Sequence, residues 1–230
     1  MKRAILILTG ALLLAACCGR QEKSIGRDEI RNADLLFVGI PADYSLDTTS
    51  MSSAIADATG KEGKLNIIHV AILEKQADSV FIIDATIKRG VARYPLDTFL
   101  VDFTLKDGSL PALKVARLPK EETRADDCSR YISNAKKYIG RDYDLWFLPD
   151  NEAKYCSELV RDSYLGADGT FIFDAAPMSF RDSNGELPLY WEQLFASLGV
   201  PVPEGLPGTN PQDMLGCGKF AYIYNLDVNK

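Results

Sequence analysis

Lys154-Tyr155-Cys156-Ser157-Glu158-Leu159-Val160 places a cysteine near the start of a helix whose apolar positions Leu159, Val160 and Tyr164 follow helical spacing. The N-terminal end of a helix carries partial positive charge and free N–H groups, which lower a thiol pKa and can hold a neighbouring oxyanion. Such a thiol still needs a base. His69 is the single histidine of the chain, so any imidazole chemistry runs through it. Without that partner, a cysteine on an apolar helix is ordinary packing.

Working upstream, Leu65–Leu73 and Ser79–Ala85 read as an antiparallel pair of strands around a polar turn. Alternation puts Ile67, His69, Ala71 and Leu73 on one face of the first, and Val80, Ile82 and Asp84 on one face of the second. A carboxylate in an apolar run requires a partner, which makes His69 and Asp84 a candidate pair. Before them come an apolar strand over 34–40, a loop over Pro41–Ser50 and a short helix from Met51 that Gly60 ends. After them come a strand at Gly90–Tyr94, a short helix over Pro95–Phe103 and a strand at Leu113–Leu118. A helix is predicted over Glu121–Ile139, with Cys128, Tyr131, Ile132 and Ala135 on its inner stripe. Pro149-Asp150-Asn151 would start and cap the Cys156 helix, and Gly166 would end it. Phe171–Phe173 is a short apolar run. A helix over Leu189–Leu198 and a strand over Lys219–Leu226 close the chain. Strands mixed with helices without strict alternation predict an α+β fold with a mainly antiparallel sheet.

The 230 residues suit one globular domain, and the formal charge of −6, with no basic run, argues against a nucleic-acid partner. The N-terminus differs from the rest. Met1-Lys2-Arg3 is basic, Ala4–Ala16 is apolar but too short to span a bilayer, and Leu14-Ala15-Ala16-Cys17 resembles a bacterial lipobox. Residues 1–16 are therefore read as a signal peptide and Cys17 as a lipidation site, with a plain signal or a buried helix as alternatives. Residues 17–32 read as a tether and 33–230 as the folded domain. Lipid anchoring implies the bacterial cell envelope and a membrane partner. That compartment permits disulfides, and Cys128 with Cys217 is the pair to test, although spacing does not settle connectivity. No CxxC pair is present, so no structural zinc site is expected, and no metal or cofactor is assigned.

In order, these stretches resemble the permuted, papain-like NlpC-type amidases and peptidases, the group that includes YiiX-like proteins. Ala33-Asp34-Leu35-Leu36-Phe37 resembles the opening strand, Ile67–Ile72 the histidine strand and Phe81–Ala85 the strand with the third polar residue. Tyr138–Asp144 resembles the approach loop and Tyr155–Val160 the nucleophile helix. The histidine precedes the cysteine here, the reverse of the unpermuted order. Ala33 and Ile68 depart from the Gly and Ser that the family often has at those places.

The resemblance implies a papain-like sheet or open barrel packed on helices, with Cys156 as thiolate, His69 as base and Asp84 as the group that orients it. It implies hydrolysis of amides through a thioester, on a peptide, a peptidoglycan fragment or an acyl amide. Tyr44, Asp144 and Tyr155 are further candidates for the cleft. Glu158 is more simply a favourable charge near a helix start than an acid catalyst. Two rivals are a non-catalytic lipoprotein that binds peptide or acyl ligands on the same fold, and a metal site made from His69, Asp84 and Cys156.

Overall fold

The computed structural model describes residues 23–60 and 63–230. The elements in chain order are β1 (Ser24–Ile25), β2 (Leu35–Pro41), α1 (Met51–Thr59), β3 (Leu65–Gln76), β4 (Ser79–Thr86), β5 (Gly90–Pro95), α2 (Leu96–Asp102) and β6 (Ala112–Arg117). They continue with α3 (Ala125–Lys136), α4 (Cys156–Ser163), β7 (Ala176–Pro177), α5 (Leu189–Leu198), β8 (Pro207–Gly208), α6 (Pro211–Gly216) and β9 (Tyr222–Leu226). Seven strands form one sheet in the order β1-β9-β6-β2-β3-β4-β5, antiparallel except for β1 beside β9. The fold is α+β with a mostly antiparallel sheet against helices, as the sequence predicts.

Both faces of the sheet are buried, which is why its central strands are continuous apolar runs rather than alternating ones. On one face Leu36, Val38, Ala71, Leu73 and Ile82 pack with Phe99 of α2. On the other, Phe37, Val70, Ile72 and Ile83 pack with Tyr131 of α3 and with Leu159 and Val160 of α4. A third apolar cluster joins Ala54 of α1 to Trp191 and Phe195 of α5, with Phe147, Tyr155 and Phe180 between them. The Trp191 indole N–H donates to the Ala54 carbonyl at 3.2 Å, which fixes α5 beside α1.

One predicted face is wrong, and its cause is a β-bulge. Val38 pairs with His69, but the next residue, Gly39, pairs with Ile67, so Ile68 is an extra residue in β3. Ile67 therefore belongs to the α4 side with Val70 and Ile72, while Ile68, Ala71 and Leu73 pack on the α2 side. Gln212 of α6 accepts the Ile67 N–H through Oε1 at 2.8 Å, giving that amide a partner beside the bulge.

Other boundaries shift for local reasons. The helix predicted over Glu121–Ile139 is a 3₁₀ turn at Lys120–Glu122 followed by α3, with Arg124 extended between them. The packed chain begins ahead of the boundary at Ala33: β1 pairs with β9, and Ile25 and Ile30 are buried. Residues 24–32 are thus part of the domain rather than a tether. Cys128 and Cys217 are both free; Cys128 faces the core from α3, whereas Cys217 is exposed at the end of α6, so the pairing proposed for test is absent. The expected signal peptide and Cys17 lie outside the described residues. Among the described residues no helix is long and apolar enough to cross a membrane.

Candidate active site

The β3–β4 ladder runs from Gln76↔Ser79 to Ile72↔Ile83 and stops there. One step further the same register would set Asp84 opposite Ala71, two residues from His69 and on its side of the strand. The two side chains meet diagonally. His69 Nε2 lies 2.9 Å from Asp84 Oδ2, and Asp84 is fully buried. Tyr94 on β5 donates its hydroxyl to both Asp84 oxygens, at 2.9 and 3.0 Å. The register Asp84↔Ala92 puts Tyr94 two residues along from Asp84's partner, the same diagonal relation. The imidazole also lies against Phe103, with ring centroids 4.8 Å apart. With Nε2 engaged by the carboxylate, Nδ1 is the nitrogen left for a thiol.

Cys156 is the first residue of α4, and Tyr155 is the extended N-cap. Its amide is one of the four at a helix start with no intrahelical acceptor. The start of α4 is fixed to the segment after β8: the Ser157 hydroxyl donates to the Thr209 carbonyl at 3.0 Å, and the Thr209 N–H donates to the Tyr155 hydroxyl at 3.1 Å. Burial opposes a charged His69. Negative charge on Cys156, with hydrogen bonds to Asp84 and Cys156, outweighs it and pushes the imidazole pKa up to about 10. The thiol and the imidazole are therefore in electrostatic contact. Tyr143 is beside the sulfur too; burial and then the Cys156 charge push its phenol well above its ordinary value.

The helix does not begin at Pro149-Asp150-Asn151 because the buried Asp144 carboxylate turns that stretch into a loop. It accepts from Trp146 N–H at 2.9 Å, Leu148 N–H at 3.1 Å and Asn151 Nδ2 at 2.9 Å. The loop's ends are joined by Lys154 N–H to the Asp142 carbonyl and Asp144 N–H to the Lys154 carbonyl. Between Trp146 and Leu148, Phe147 has φ of 52°, a left-handed backbone that bulky residues avoid at roughly 1–3 kcal/mol. Upstream, Gly90 has φ of +62°, and a Cβ there would lie 2.3 Å from the Arg141 carbonyl, so only glycine lets β5 grip the loop.

Beside Cys156 opens a narrow cleft walled by Ile55, Tyr143, Phe147, Met178, Phe180 and Trp191. Of the three further candidates, Tyr155 lines this cleft, Asp144 is buried beneath the loop, and Tyr44 packs on the α2 side of the sheet instead. Glu158 is buried and paired with Lys154 Nζ at 3.1 Å; burial, opposed by Lys154, raises its pKa to about 7. Tyr94, Tyr143 and Phe147 are not among the site residues expected from the sequence. Tyr94 could have been found by extending the β4–β5 register from Asp84. Nothing in the pattern marks Phe147, because its position follows from the hydrogen bonds of Asp144.

An antiparallel sheet with a thiol at a helix start and a strand-borne imidazole facing it defines a papain-like protein, here with histidine before cysteine. The chain belongs to the permuted papain-like amidase family, YaeF/YiiX, C92 family, which matches residues 39–224. It is similar in fold to the crystal structure of metalloprotein YiiX from Escherichia coli O157:H7, with a TM-score of 0.63, 20% identity, and coverage of 86% of this chain and 97% of that one. No curated protein matches the chain.

Proposed function

We propose that this chain is an exported, lipid-anchored cysteine hydrolase that cleaves amide bonds of peptide, peptidoglycan-fragment or acyl-amide substrates. The observation that carries the reading is the single imidazole held between the buried Asp84 and the thiol at the start of α4. In this reaction the Cys156 thiolate attacks the carbonyl carbon, and the oxyanion forms beside the free amide at the helix start. The His69 imidazolium gives its proton to the departing amine as the C–N bond breaks. A water then attacks the thioester, losing a proton to His69, and the acid leaves. Asp84, fixed by Tyr94, orients the ring throughout. The basic start, short apolar core and Leu14-Ala15-Ala16-Cys17 support export and anchoring through Cys17 in the cell envelope.

YiiX is described as a metalloprotein. In this chain both Asp84 oxygens are engaged by Tyr94 and one also by His69, and among the described residues no group of three or more His, Cys, Asp or Glu is arranged to hold a metal. The test is mass spectrometry of peptidoglycan peptides and acyl amides incubated with wild type and Cys156→Ala. Product with wild type alone is expected. Equal product from both would remove Cys156 from the reaction.

A further inference from the structure

The short segment 209–212 is bonded to both halves of the site. At one end, the two residues that flank Cys156 hold the same partner. The Tyr155 hydroxyl accepts from the Thr209 N–H at 3.1 Å, and the Ser157 hydroxyl donates to the Thr209 carbonyl at 3.0 Å. Both backbone groups of Thr209 are thus engaged by the turn that begins α4. At the other end, Gln212 Oε1 accepts from the Ile67 N–H at 2.8 Å, beside the bulge and two residues before His69.

The stretch between these two ends is stiff. Pro207 and Gly208 lead into it as β8, paired with β7. The Asn210 side chain accepts from the Asp213 N–H at 2.8 Å and donates to the Asp213 carboxylate at 2.7 Å. Pro211, which is buried, opens α6 with a fixed φ. Met214, on the same helix, enters the core cluster that contains both Cys156 and Ile67. A Cβ on Gly208 would lie 2.7 Å from the Tyr155 hydroxyl oxygen, so glycine is what lets β8 approach the start of α4 this closely.

Cys156 and His69 come from different elements, and β3 is irregular where the two must meet, since a bulge bends and twists the strand that carries it. Leu159 and Val160 pack α4 against the sheet, but apolar contact is non-directional. Catalytic groups must be held to within about 0.5 Å, and a misplacement of about 1 Å can cost on the order of 100-fold in rate. Directional bonds at both ends of one stiff segment meet that need.

We propose that the segment 209–212 is a brace that sets the separation of Cys156 from His69, with Gln212 as a positioning residue for the histidine strand. The proposal rests on the reading of Cys156 as nucleophile and His69 as its base.

The experiment needs no substrate. It follows the rate at which iodoacetamide alkylates Cys156 at about pH 6, where reaction depends on thiolate that the imidazole sustains, with the labelled cysteine identified by mass spectrometry. It also follows the His69 titration by NMR. Gln212→Ala should slow alkylation about tenfold and lower the titration midpoint, because the ring moves off the negative charge of the sulfur. Gln212→Glu, whose carboxylate still accepts from the Ile67 N–H, should restore the rate. Ser157→Ala releases the other end and should slow alkylation to the same degree. The double variant should be no slower than either single one, since a brace cut once is already cut. Should Gln212→Ala not fold, the rate and midpoint of Ser157→Ala decide.

If His69→Ala slows alkylation while Gln212→Ala lowers the melting temperature and leaves rate and midpoint unchanged, Gln212 is structural only and the brace is overturned. Gln212→Glu as slow as Gln212→Ala, or effects that multiply in the double variant, overturn it as well. If His69→Ala leaves alkylation of Cys156 unchanged, the nucleophile–base reading falls, and the brace with it.

Discussion

At the scale of single residues, His69 is where two buried charges meet. Asp84 holds one nitrogen, the Cys156 sulfur faces the other side, and burial alone would have favoured the neutral ring. The imidazolium should therefore persist through neutral pH and be lost only as pH rises through about 10. Because the chain has one histidine, a single imidazole proton resonance follows this titration by NMR. Cys156→Ala removes one negative neighbour, so the midpoint should fall. An unchanged midpoint would mean that the ring does not sense the sulfur. Cys156, His69 and Asp84 were legible in the sequence because residues of these types are rare in apolar runs. Tyr94 was not, since a tyrosine at a strand end reads as packing until the hairpin register shows that it reaches Asp84. Asp144 was visible as a residue but not as the organiser of a loop, because its partners are backbone amides of any sequence.

At the scale of elements, the strands were the readable part. Burial on two faces leaves unbroken apolar runs, and β2 to β6 are found where those runs lie. Helix starts were harder. Asn210 accepts from Asp213 N–H and Pro211 follows it, a clear start for α6, yet a helix of six residues has too little periodicity to stand out. The turn between β3 and β4 offers a test of an element by itself. Gln76 pairs with Ser79, leaving Ala77 and Asp78 as the turn, and Ala77 is exposed with φ of 49°. A Cβ in that left-handed region costs roughly 1 kcal/mol that glycine avoids. Ala77→Gly should raise the stability by up to about 1 kcal/mol, read as a shift in the urea midpoint at constant slope. A lower midpoint would show that the alanine is not strained.

At the scale of the whole molecule, the first described residues close one edge of the sheet. β1 extends it past β9, Ile25 and Ile30 enter the core on the α2 side, and Arg117, which forks onto Asp34, also donates to the Glu29 carbonyl at 3.0 Å. The low hydrophobicity of residues 17–32 hid this, since two isoleucines nine-tenths buried do not make a period. A chain starting at Ala33 should lose about 4 kcal/mol relative to one starting at Lys23, from the two isoleucines alone. For a domain of this size that is roughly a 10 °C fall in Tm. Equal melting temperatures would return the segment to the role of a tether.

The extra residue at Ile68 has one more consequence. A strand sorts its side chains by parity, odd numbers to one side and even to the other, and the bulge resets the count a third of the way along β3. Ile67 and His69, both odd, consequently belong to opposite faces. The nucleophile's partner is thus specified by arithmetic as much as by chemistry: removing one residue at 68 would leave every other amino acid in place, yet the strand before it could not keep both its core face and its pairing with β2.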